Sequence, residues 1–136
     1  MKVATLLSIA VVALILTSEG PAATYDDLAA QGYRWVTVDG PYACPSKDDL
    51  RKLTRHPTDE AALQMIEQLR AYYLIEGALV QVVLEDAALG MSQIHATEIK
   101  TDIWTLTRFL SRHPIKNTYG QIETPKTLGL VTTTRR

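Results

Sequence analysis

The sequence predicts an α+β fold: a small antiparallel β-barrel with two helices inserted after the first strand. Three observations lead there. Short β-branched and aromatic runs with two-residue alternation recur at 33–38, 78–84, 91–96 and 103–107, separated by turn signals. An amphipathic helical pattern fills the interval after the first of these runs. The first 23 residues are unlike the rest, with a basic start, an apolar run to Leu16 and the small and polar exit "TSEGPAA".

That opening has the layout of a secretory signal peptide, because its apolar core falls short of the roughly 20 residues that a membrane span needs. Residues 1–23 are therefore read as a leader cleaved near Ala22 or Ala23, with an uncleaved anchor as the competing reading. A lipoprotein would need a Cys directly after the run, and the only Cys is Cys44. Removing the leader leaves about 113 of 136 residues, enough for one domain with a modest core. The net charge of −1, with bases and acids interleaved, leaves no basic stripe for nucleic acid. The expected location is periplasmic or otherwise extracytoplasmic, with membrane association only through an uncleaved leader or a partner.

Each element then follows in order. In "YRWVTV" (33–38), Tyr33, Trp35 and Thr37 alternate with Arg34, Val36 and Val38, which makes a first strand stopped by Asp39-Gly40-Pro41. Ser46 with Asp49 three residues on resembles a capping box, and acids precede bases in "KDDLRKL", so a helix is expected over 47–54. His56-Pro57 ends it and Thr58 caps the next helix, "DEAALQMIEQLRAYY", whose Ala62, Met65, Ile66 and Leu69 form one buried stripe. After Gly77, "ALVQVVL" is apolar on both faces and reads as a covered strand. "EDAALG" is a turn, "MSQIHA" a return strand, "IWTLT" a further strand and "RFL" a closing turn. Residues 24–112 thus form the barrel domain. The remainder, 113–136, has few core candidates and is expected to be an arm or tail, mobile or laid on another protein, with "TYGQIE" as a candidate edge strand.

This strand order resembles bacterial Src-homology-3-like barrels, small extracytoplasmic domains often attached to wall-binding proteins. Val36, Val38, Gly40 and Pro41 match their opening strand and turn; Gly77 with Val80, Val82 and Val83 matches the middle strand. Gly90 and Ile94 match the next hairpin, and Trp104, Phe109 and Leu110 the closing strand. The chain departs from the pattern in its helical insert over 47–72, in Met91 where an aromatic is common, and in Ile103 where a Gly usually precedes the Trp. The resemblance implies binding and carries over no catalytic residue.

Motifs for chemistry are sparse. His56, His95 and His113 form no close-spaced ligand set, so no metal is expected. A lone Cys cannot close an intramolecular disulfide; Cys44 could be a buried apolar residue, an intermolecular link or an attachment point. A thiol hydrolase using Cys44 with His95 or His113 can be drawn, but Cys44 precedes Pro45 outside any nucleophile motif. No glycine-rich phosphate loop is present, and no cofactor is expected. Trp104 either packs in the core or, with Tyr42, Tyr72 and Tyr73, lines a groove for a partner; Tyr119 in the arm is a further partner-binding candidate. The expected function is a non-enzymatic interaction module, an accessory subunit docking on another envelope or secreted protein, with binding of cell-wall glycan or peptide as the alternative.

Overall fold

The computed structural model describes residues 24–55 and 59–130. The leader over 1–23, the His56-Pro57 stop, the Thr58 cap and the last six residues lie outside the described residues.

The chain enters through a helix that the strand pattern did not predict, α1 (Tyr25–Ala30). Thr24 Oγ1 accepts the Asp27 N–H while the Asp27 carboxylate accepts the Thr24 N–H, so two otherwise orphaned donors are satisfied reciprocally. Strand β1 (Tyr33–Val36) follows, then β2 (Tyr42–Ala43), α2 (Lys47–Arg55), α3 (Asp59–Glu67) and β3 (Tyr72–Tyr73). The rest is β4 (Leu79–Asp86), β5 (Met91–Ala96), β6 (Ile103–Leu106), a 3-10 turn (Thr107–Phe109) and β7 (Leu110–Ser111). The helical insert therefore begins after the second strand, not after the first. "RFL" lies across the 3-10 turn and the start of β7, which pairs with β1 at Val36 and Trp35.

Five strands form one antiparallel sheet in the order β6-β5-β4-β1-β7, and β2 pairs with β3. An isolated bridge joins the two sheets: Cys44 N–H donates to Trp104 O at 2.9 Å and Trp104 N–H returns to Cys44 O at 2.7 Å. Ala43 and Leu74 from the β2–β3 end pack with Val36, Val80, Ile94 and Ile103 in one buried cluster. Strand alternation places Trp35 and Trp104 on the other face, at its two ends.

Four further sequence expectations are corrected. The second helix ends at Glu67, not at Tyr73. Arg70 N–H bonds to Met65 O and Leu69 N–H to Ile66 O, the bonds of a Schellman stop, with Leu69 at φ 58 where Gly is usual. Leu69 therefore leaves the buried stripe and is 67% exposed, while Tyr72 and Tyr73 are free to pair with β2. Ser46 Oγ does accept Asp49 N–H, but the Asp49 carboxylate turns to Arg70 and does not complete a capping box. In β4 a bulge between Val82 and Leu84 inserts Val83, which shifts the register against β5 and leaves Val83 and Leu84 exposed rather than covered.

The fourth correction concerns the supposed arm. Residues 113–130 lie on their own chain, with Ile115 and Ile122 packed on Trp35, Leu28 and Leu79. Trp35 Nε1–H donates to Glu123 O at 2.8 Å and Leu79 N–H to Glu123 Oε1 at 3.0 Å. A Cβ on Gly77 would stand 2.6 Å from the Asn117 backbone, so the close approach of this segment requires glycine there. "TYGQIE" pairs with no strand; it forms a hydrogen-bonded turn.

Candidate functional site

Of the candidate aromatics, Trp104 is placed in the core. It is 7% exposed and packs with Cys44, Leu50, Leu53, Met65 and Met91, and the Lys47 ammonium sits 4.4 Å from its ring centre while pairing with Asp86 at 2.9 Å. Lys47 and the Leu89 N–H hold the Asp86 carboxyl below the usual carboxylate range. Tyr72 is half-buried against the inner cluster. Tyr42 is half-buried and meets Tyr73 edge-on, ring centres 6.0 Å apart. Tyr73 and Tyr119 are exposed, at 55% and 86%.

Those last two tyrosines line one groove of about 510 Å³. Its walls come from three stretches distant in sequence: β3 and the turn after it (Tyr73, Ile75, Glu76), the β5–β6 connection (Glu98, Ile99) and the C-terminal segment (Tyr119, Glu123, Leu128). The loop that carries Tyr119 is built by bonds of its own. Asn117 Oδ1 accepts from both Tyr119 N–H and Gln121 N–H at 3.0 Å, and Asn117 N–H donates to Gln121 O. Asn117 Nδ2 then reaches Glu123 Oε2, which ties the loop to the residue holding Trp35. Both Glu123 oxygens are thereby engaged within the chain.

The carboxylates of Glu76 and Glu98 form no ion pair among the described residues, and no described Lys, Arg or His lines the groove. The apolar side chains and unpaired acids together make a surface able to take an apolar ligand bearing positive charge. Neither acid was singled out from the sequence, where each is an isolated Glu without a motif.

A second, smaller and shallower cleft of about 360 Å³ lies beside the β4 bulge, between Arg34, Arg112 and Glu85. Arg34 there serves structure: its Nη1 donates to Ala29 O at the end of α1 and to Tyr33 O. Burial and the neighbouring Arg112 lower its pKa.

Cys44 is fully buried, and burial together with the nearby Asp49 charge pushes its thiol up to about 12. A thiolate nucleophile needs the opposite shift. The Asp49 carboxyl is held below its usual range by the two-pronged Arg70 contact, at 2.8 and 3.1 Å. His95 Nδ1 lies 3.2 Å from Asp102 at the surface, and the His113 N–H is taken by Ser111 Oγ. Among the described residues no group of His, Cys, Asp and Glu side chains is arranged to hold a metal, and no helix is long and apolar enough to cross a membrane. No family model, curated protein or solved structure matches the chain.

Proposed function

We propose that this protein is a non-enzymatic interaction module, exported by its leader, that docks through the Tyr73–Tyr119 groove on another envelope or secreted protein as a small accessory subunit. The observation that carries this reading is Tyr119. It is a large aromatic held 86% exposed by a loop whose Asn117 bonds fix its shape and whose base is anchored under Trp35. A side chain so placed adds nothing to the core, whereas a preorganised exposed aromatic lowers the ordering cost of association. Tyrosine is also among the residue types that most often dominate interface energetics. The buried cluster shared by the two sheets and the bridge from Cys44 to Trp104 support the Src-homology-3-like barrel reading, a frame that commonly presents binding loops.

The test is affinity purification of the full chain from envelope extract beside a Tyr73→Ser, Tyr119→Ser double variant. Both positions are exposed, so the fold is expected to survive. Recovery of one stoichiometric partner with the native chain, lost in the variant, is the expected result. Recovery of the native chain alone, or its retention on purified wall glycan instead of a protein, would remove the accessory-subunit reading, and the second outcome would install wall binding. Truncation at Arg112 is unsuitable, because it strips the cover from Trp35 and Leu79.

A further inference from the structure

From the charge and edge geometry of the groove we infer the chemistry of its occupant: an extended segment of the partner in which Lys or Arg alternates with apolar residues. This rests on the docking reading above and deepens it.

Two features define that occupant. The first is charge. The protein as a whole is nearly neutral, at −1, yet three carboxylates, Glu76, Glu98 and Glu123, converge on one groove with no described base among its lining residues. Glu123 is spent on Leu79 N–H and Asn117, which leaves Glu76 and Glu98 uncompensated at the rim of an apolar surface. A cationic ligand would supply the counter-charge that the lining residues of this groove lack. The apolar part of the surface is supplied by Tyr73, Ile75, Tyr119 and Leu128, between 36% and 86% exposed.

The second feature is a strand edge. Among the described residues, strand β3 has β2 as its one neighbour in the sheet. Leu74 turns both backbone groups toward that side, its N–H donating to Pro41 O at 2.8 Å and its C=O accepting from Gly40 N–H. Strand alternation then directs the N–H and C=O of Tyr73 away from β2. An extended chain laid beside Tyr73 can take those bonds, and its side chains then alternate between the apolar wall and the acidic rim.

The experiment measures fluorescence anisotropy of the full chain with three short labelled peptides, alternating Lys-Val, Glu-Val and Ser-Val. Binding of the Lys-Val peptide alone is expected, weakened by added salt. A Glu76→Lys, Glu98→Lys double variant should lower that affinity by about tenfold, while Glu85→Lys, which lies outside this groove, should not. Equal binding of all three peptides, or indifference to the charge reversal, overturns the basic occupant; if Tyr73→Ser and Tyr119→Ser still abolish that binding, the docking reading survives. Binding of none also overturns the inference and leaves docking to be decided by the purification above. Tighter Lys-Val binding on Arg135→Ala, Arg136→Ala would show the chain's own end as the occupant and overturn a partner segment.

Discussion

Trp35 and Trp104 stand on the same face of one sheet, yet they are covered by different means. Trp104 is roofed by α2 and α3, whose Leu50, Leu53, Ala62 and Met65 descend on it at helical spacing. Trp35 is covered in part by α1, whose Tyr25 meets it edge-on with ring centres 6.0 Å apart and whose Leu28 shares its cluster, and in part by irregular chain. Ile115 and Ile122 pack against its cluster, and the bonds from Trp35 Nε1–H to Glu123 O and from Leu79 N–H to the Glu123 carboxylate fix the segment that carries them. A helix satisfies its own backbone, so its cover is held by side-chain packing alone. An irregular segment must find its hydrogen bonds elsewhere, and here it takes them from Trp35, from Leu79 and from its own Asn117 turn. The bond from Asn117 Nδ2–H to Glu123 Oε2 links the closure over Trp35 to the loop that holds Tyr119 out in solvent. Stability and the candidate binding surface are therefore coupled at the Trp35 end and separate at the Trp104 end.

The heaviest loss at the Trp35 end is expected from Gly77→Ala. The new Cβ would meet the Asn117 backbone at 2.6 Å in a residue at φ 82, and strain plus displacement should cost about 3 kcal/mol. Denaturant unfolding checks the magnitude. Hydrogen exchange checks the location: amides around 117–123 should lose protection while those of α2 and α3 keep it, and uniform loss across both would refute the separation.

At the other end the matching change is Arg70→Ala, which leaves the Asp49 carboxylate, 9% exposed, without its partner; a loss of stability smaller than that of Gly77→Ala is expected. Its pH dependence has a definite sign. The folded-state pKa of Asp49 is depressed, so the native pairing contributes stability above the unfolded value of about 3.9 and loses it as pH falls through the folded value. The gap between native protein and variant should thus be full at neutral pH and narrow below about pH 4. A gap that stays constant through that range would show that Arg70 acts by packing. Smaller again is Trp35→Phe, which keeps most of the apolar contact and removes the N–H donated to Glu123 O; about 1 kcal/mol should be lost. Loosening of the Tyr119 loop, read by exchange, should accompany it.

The same contrast explains what could be read in advance. The cover of Trp104 was legible because amphipathic periodicity marks a helix and the face it buries. The cover of Trp35 was not, because Ile115 and Ile122 follow no period and the partner of Glu123 is fixed only by long-range folding. Thr24 and Asp27 did carry a readable capping signal for α1. The bulge at Val83 was hidden, since "VQVVL" alternates acceptably in either register. As for the candidate site, residue type pointed to Tyr73 and Tyr119, but their meeting depends on the close passage of Asn117 over Gly77, and nothing in the local sequence marked Glu76 or Glu98 as its rim.

The stripe Ala62, Met65, Ile66 and Leu69 continues in period past the true stop of α3, and the residue that performs the stop is itself part of the stripe. Leu69 occupies the left-handed region at φ 58, which costs an L-residue with a side chain about 1 kcal/mol that glycine does not incur. Its side chain is 67% exposed, so little packing offsets the strain. Leu69→Gly should therefore stabilise the fold, but glycine also enlarges the conformational freedom of the unfolded chain, which returns part of the gain. The net expectation is an increase of about 0.5 kcal/mol in unfolding free energy with unchanged denaturant dependence. A decrease would mean that Leu69 makes apolar contacts outweighing its backbone strain, and that the helical stripe was followed by packing even after the helix had ended.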